Sequence, residues 1–183
     1  NFLFRSKISL LVVLLSCISI TCVNAQKVTA PSFTMVQNGR SNAVIVITAN
    51  AGKDELLAAG ELSDYVFKMS GARIPVSSQK NGKNSVIYIG RACPNYTALT
   101  KNEYAITSTK NELQITGATP YLTLETVYVL LEEFLGCQFL SPTVEKIPIT
   151  KNISIATSYT YTPAVLTRTV HSKLFYDNPS FAA

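Results

Sequence analysis

An α+β fold, a mixed β-sheet with two long helices packed on one face, is what the sequence predicts, and three observations predict it. Two stretches, residues 54–70 and 120–135, carry apolar side chains at helical spacing. Two short continuous apolar runs, residues 43–48 and 86–89, are bounded by turn residues, as in strands covered on both sides. Residues 103–109 and 112–116 alternate apolar with polar, the period of a strand with one wet face. Two helices on one face of a mixed sheet is the simplest way to bury all of these at once.

The elements follow in chain order. Residues 26–42 are polar, with Pro31, and read as an extended opening segment holding one strand near residues 33–36. After the strand at residues 43–48, Asn50-Ala51-Gly52 turns the chain. Asp54 is placed to cap the first helix, and Glu55 sits in its first turn against the positive end of the dipole. Ala58, Leu62, Tyr65, Val66 and Met69 form its inward stripe, and Gly71 ends it. A short strand at residues 74–77, a polar turn at 79–84 and the apolar strand at 86–89 come next.

Lys110-Asn111 suits a hairpin turn between the two alternating segments. Thr119 is placed to cap the second helix, with Pro120 at its first position, where a missing N–H costs nothing. Leu124, Val127, Tyr128, Leu131 and Leu135 make one buried stripe, which puts Glu132 on the wet side, and Gly136 stops the helix. Truncating Leu131 to Ala is therefore expected to cost about 2 to 5 kcal/mol. Pro142 then breaks the chain; residues 146–149 and 153–156 read as short edges, residues 158–163 as a connector, residues 165–170 as a further strand and residues 176–181 as a turn.

The 183 residues allow one domain plus a leader. Arg5 and Lys7 precede an apolar run at residues 8–20, and Val23-Asn24-Ala25 offers small residues for cleavage before Gln26, so residues 1–25 read as a signal peptide. The run falls short of the roughly 20 apolar residues of a membrane span, so no stable span is expected. Leu14-Leu15-Ser16-Cys17 is a degenerate lipoprotein box, and a lipidated form through Cys17 stays open. Asn1 is not an initiator, so the sequence is expected to start inside an open reading frame. The expected destination is export to the periplasm, cell surface or medium of a bacterium. Cys93 and Cys137 remain after cleavage; one bridge between them is open, but Cys137, following an apolar helix, reads as a small buried hydrophobe. The net charge of +5 falls to +3 without the two leader cations, and the other basic residues form no stripe, which excludes nucleic acid as an expected partner.

Catalytic chemistry finds little footing. Glycoside hydrolysis usually needs two converging carboxylates, and Glu132 and Glu133, adjacent on a helix, point about 100° apart. His171 is the single histidine, which removes metal sites requiring two imidazoles and most triads. No serine stands in a G-x-S-x-G elbow. Asn50-Ala51-Gly52-Lys53 fails as a phosphate loop, because Ile47 stands at the first glycine position and Asp54 at the hydroxyl position. No catalytic residue, metal or cofactor is expected in this chain.

The helix beginning at Glu55 and ending at Gly71, the strand Val86-Ile87-Tyr88-Ile89-Gly90, the Gly117-Ala118-Thr119-Pro120 helix start and the Leu135-Gly136-Cys137 exit are met in a fixed order. That order resembles the α/β domain preceding the catalytic barrel of bacterial β-N-acetylhexosaminidases, of α-glucuronidases, and of related large secreted glycan-degrading proteins. The resemblance spans about residues 43 to 170. It implies an opening segment at 26–42, an α/β accessory domain at 43–160 and the start of a downstream barrel at 161–183, the barrel being the domain's partner and a glycan the parent's substrate. An eight-stranded α/β barrel takes at least about 200 residues, so the catalytic acids are expected beyond residue 183. The resemblance also implies a first barrel strand near Tyr161 to Arg168, with Arg168 as a substrate-binding residue able to bond sugar hydroxyls or a uronate; a structural strand-end arginine paired with a carboxylate is the equal alternative. The other reading of the whole is a free-standing exported glycan-binding or surface interaction module, with Tyr121, Tyr159, Tyr161 and Tyr176 as stacking faces.

Overall fold

A computed structural model describes residues 30–162, apart from 81, 83, 84, 95, 97, 98 and 101. A six-stranded mixed sheet organises them: β3 (Ala43–Val46), β4 (Val76–Ser77), β5 (Ser85–Ile89), β6 (Tyr104–Ser108), β7 (Glu112–Gly117) and β11 (Ser158–Tyr161), in the order β11-β6-β7-β5-β3-β4. β4, β3, β5 and β7 run parallel; β6 runs antiparallel to both of its neighbours, β7 and β11. The period of two sorts the side chains. Ile45, Ile87, Ile89, Leu113, Ile115 and Ile106 join the main core beneath the helices, while Val44, Val46 and Val86 form a small second cluster with Tyr88 and Ala92. All four residues of β3 are buried, as a continuous apolar run requires.

Helix α1 (Lys53–Ser70) and helix α2 (Pro120–Val129) lie side by side on that core. The expected inward stripe of α1 is buried throughout: Ala58, Leu62, Tyr65, Val66 and Met69. Gly71, in the left-handed region at φ 79°, closes it, its N–H donating to the Phe67 carbonyl at 2.8 Å. At the other end the cap is Gly52 and not Asp54, which lies one residue inside the helix. Thr119 caps α2 as expected, its Oγ1 accepting from the Leu122 N–H at 3.2 Å, with Pro120 next.

The last turn of α2 departs from the expected α-helix. Residues Leu130–Phe134 form a π turn, with the Leu135 N–H donating to the Leu130 carbonyl at 3.1 Å. The widened turn lets Leu130 and Leu131 both face inward, each fully buried, while Glu132 and Glu133 stay in water. Leu131→Ala should cost about 2 to 5 kcal/mol, the range for a fully buried leucine. Glu132→Ala should cost under about 0.5 kcal/mol. Urea denaturation of both variants checks this, and equal losses would mean that the helix faces otherwise.

Three further segments differ from expectation. The opening segment holds the expected strand, β1 (Phe33–Gln37), and also β2 (Arg40–Ser41), joined to it by Asn38-Gly39 with both φ positive, a two-residue turn whose Asn-Gly signal was readable. Residues 138–146 form a hairpin, β8 (Gln138–Ser141) with β9 (Val144–Lys146), so Lys146 ends a strand and does not begin one. The segment read as a connector is β11, an edge strand paired with β6 through Ser158↔Thr107 to Tyr161↔Tyr104. Meanwhile β10 (Ile153–Ile155) pairs with β1, burying Phe33 and Met35. The signal peptide with Cys17, the strand at 165–170 and the turn at 176–181 lie outside the described residues.

Candidate functional site

In an open parallel sheet, ligands settle where neighbouring strands send their connections opposite ways. Here β3 leads into α1 and on to β4 on one side, while β5 leads through the short 3-10 turn Gly90–Ala92 toward β6 and β7 on the other. The crevice between their ends also faces the amino end of α1, whose free N–H groups and dipole favour an anion.

The protein's own Glu55 occupies it. Its carboxylate is 1% exposed. Oε2 accepts from the Gly52 N–H at 3.1 Å, closing the helix terminus on itself, and from Arg91 Nη2 at 2.7 Å. Oε1 accepts from the Arg91 backbone N–H at 2.9 Å, and Arg91 Nε lies 3.2 Å from Oε1 and 3.0 Å from Oε2. Arg91 Nη2 also donates to the Asn50 carbonyl at 2.9 Å, tying the β3 exit to the β5 exit. Burial pushes the Glu55 carboxyl pKa up, but the hydrogen bonds and charge of Arg91 together with the Gly52 N–H outweigh it, and the group ends below its ordinary value. Gly90, at φ +60°, lets the chain turn over this carboxylate: an added Cβ would stand 2.5 Å from Oε1. The cradle that fits an anionic ligand is complete and filled.

Other carboxylates are held elsewhere. Glu145 accepts from Tyr65 Oη at 2.7 Å and from Lys68 Nζ at 2.8 Å, pinning the β8–β9 hairpin to α1, and these bonds hold its pKa below the usual range. Glu61 is pushed up by burial, only partly offset by a hydrogen bond from Tyr128. Glu103 accepts from the Thr100 N–H at 2.8 Å and from Thr162 Oγ1 at 2.9 Å, the Thr100 contact lowering its pKa most. Asp64 pairs with Arg73 at the surface. Glu61 and Glu145 feel each other's charge beside Tyr65.

Cys93 and Cys137 are both free and buried. Burial pushes the Cys93 thiol up to about 12, and its Sγ lies 3.3 Å from the Tyr88 carbonyl and 3.4 Å from that of Ile115; Cys137 is the buried small residue expected. Tyr159 and Tyr161 pack with Tyr104 at the sheet edge, and Tyr121 is exposed on α2. Arg168, His171, Tyr176 and Asp177 lie outside the described residues. What sequence reasoning missed is the Glu55–Arg91 pair: Arg91 read as one scattered cation among several, and 36 residues separate it from Glu55.

No protein-family model and no curated protein matches the chain. Solved structures do. A Streptomyces plicatus N-acetyl-β-hexosaminidase in complex with Thio-NAglucal is similar to 75% of the chain over 25% of its own length, at 17% identity and TM-score 0.49. A GH115 4-O-methyl-α-glucuronidase, BtGH115A, with specificity for decorated arabinogalactans is similar to 70% of the chain over 18% of its own, at 10% identity and TM-score 0.49. A GH138 enzyme targeting pectin rhamnogalacturonan II is similar to 50% of the chain over 13% of its own, at 12% identity and TM-score 0.40. The chain thus spans a quarter or less of the length of each of these glycoside hydrolases.

Proposed function

We propose that this chain contributes a non-catalytic α/β accessory domain to a larger exported glycoside hydrolase-like protein, delivered by cleavage after Ala25. The observation that carries the reading is the filled crevice: at the place where an α/β sheet of this topology takes its ligand, Glu55 and Arg91 bond each other, and the domain spends its best anion cradle on holding α1 to the sheet. The motif order that resembles the accessory domains supports it too, since α1, β5, α2 and the Leu135-Gly136-Cys137 exit all contribute side chains to the main core. The domain's work is then to buttress a downstream barrel, where Arg168 would meet substrate.

The chain should hydrolyse neither p-nitrophenyl β-N-acetylglucosaminide nor p-nitrophenyl α-glucuronide, and the reading frame should continue past residue 183 for at least about 200 residues with a barrel pattern. In that parent, Arg168→Ala should lower kcat/KM strongly at an unchanged melting temperature. Activity in the chain alone, or a frame that stops without a barrel, overturns the reading. A melting point lowered by Arg168→Ala, with kinetics per folded molecule intact, would instead make Arg168 structural.

A further inference from the structure

The β8–β9 hairpin stands outside the six-stranded sheet, and its two ends meet at one point. Gly136, at φ +74°, delivers the chain toward β8, and Pro148 follows just after β9; a Cβ added to Gly136 would lie 3.6 Å from Pro148 Cγ. Backbone bonds bracket the excursion: the Cys137 N–H donates to the Leu131 carbonyl at 2.9 Å before it, and the Thr150 N–H to the Met69 carbonyl at 2.9 Å after it. Between those points side chains hold it down. Phe139 is set edge-on between Tyr65 of α1 and Tyr128 of α2, with ring centroids 5.2 Å and 5.5 Å away. Opposite Phe139 in register, Glu145 accepts from Tyr65 Oη at 2.7 Å and from Lys68 Nζ at 2.8 Å, and that Nζ also lies 4.2 Å from the centre of the Tyr65 ring. Most of the hairpin's other residues face water, Leu140 and Val144 among them.

We propose that this hairpin is a latched strap: it swings as one unit about Gly136 and Pro148 while the sheet and helices stay folded, and the Glu145 carboxylate is the latch, which acid releases. One wedged ring and one bonded carboxylate are a small share of what holds the domain, so opening the strap costs less than unfolding the whole. The groups around Glu145 set the direction of its response. On α1, Lys68 and Tyr65 bond it and hold its pKa below the ordinary value, while the charge of Glu61 opposes them. On α2, Tyr128 bonds Glu61, and at the strap's entrance burial raises the Cys137 thiol, which stays neutral. Because the folded value of Glu145 lies below 4.5, the latch is fully engaged above that pH and lets go as the pH falls through the folded value. The proposal goes beyond the accessory-domain reading, and its test does not depend on that reading.

Hydrogen exchange of the whole chain, read amide by amide, tests the strap. Near pH 7 the amides paired between β8 and β9 should exchange at least about tenfold faster than those of β5 and β7. Low urea should leave the hairpin rates unchanged while it speeds those of the sheet, because opening a strap exposes little surface. Glu145→Gln and Tyr65→Phe, which change the side chain's size little, should each speed exchange in the hairpin about three- to tenfold and bring forward tryptic cleavage after Lys146. Glu132→Gln, on the neighbouring π turn, should do neither. The ratio of Glu145→Gln to unmodified rates should shrink toward one as the pH falls below 4.5. Hairpin amides that follow the same urea dependence as the sheet, rates indifferent to both Glu145→Gln and Tyr65→Phe, or a ratio that holds constant with pH overturns the proposal.

Discussion

Gly117→Ala should destabilise the domain by about 4 kcal/mol or more, seen as a large fall in urea midpoint at an unchanged slope. Gly117 ends β7 where the chain doubles back into α2. Its N–H donates to Thr123 Oγ1 at 3.1 Å, and that oxygen also lies 3.1 Å from the Thr119 carbonyl, inside the capped first turn. A Cβ here would stand 2.6 Å from both Leu122 Cβ and the Thr123 nitrogen, and closer still to the Leu122 carbonyl carbon. Helix backbone cannot step aside as a flexible side chain can, so the cap, the strand end and the helix must separate. The same substitution at Gly60, inside α1 with nothing within 4 Å of the added carbon, should raise stability by roughly 0.5 to 1 kcal/mol. Opposite signs from one chemical change test the close approach itself.

Glu55→Ala should cost about 3 to 4 kcal/mol, because it strands the Arg91 guanidinium and two backbone N–H groups together. Arg91 is about a third exposed, 36% by side chain, which keeps the loss from the top of the range for broken buried pairs. Gly90→Ala should act on the same pair, through its contact with Oε1 and its left-handed backbone. The pH dependence follows from the direction of the shift. Glu55 titrates below its ordinary value of 4.5, so its contribution is fully present above that pH and drains away as the pH falls through the lower folded value. The gap between the protein and Glu55→Gln, measured by urea denaturation, should be widest near pH 7 and should close toward pH 3. A gap that stays constant with pH would show the carboxylate's charge to be irrelevant.

The legible parts of the fold were those whose signal is local. A helix stripe, a glycine at φ 79°, a threonine-proline start and a two-strand alternation each announce themselves within a few residues. β11 is different: Ser158–Tyr161 shows a weak alternation of exposed and half-buried residues, and its partner β6 lies some 50 residues earlier, so nothing nearby marks it as a strand. The β8–β9 hairpin is exposed along most of its length and is held by Glu145 reaching back to Tyr65 and Lys68 on α1, across a gap no window sees. Glu55 was read as a partner of the helix dipole, and that is half of its role; the other half depends on Arg91, which only the sheet topology brings near.

The pairing of β1 with β10 carries a consequence for the order of events at the ribosome. Thr34 and Ser154, joined through their side chains, are 120 residues apart, so β1, paired with β2 on one side, keeps its other edge open until nearly the whole domain has been synthesised. Until then Phe33 and Met35 have no neighbour on that edge, while the parallel core around β3, β5 and β7 can already assemble. Closing so long a loop is slow, and it comes late. A nascent chain halted before Ile153 would hold its helices and most of its sheet, yet present one open edge of an apolar strand to whatever meets it first.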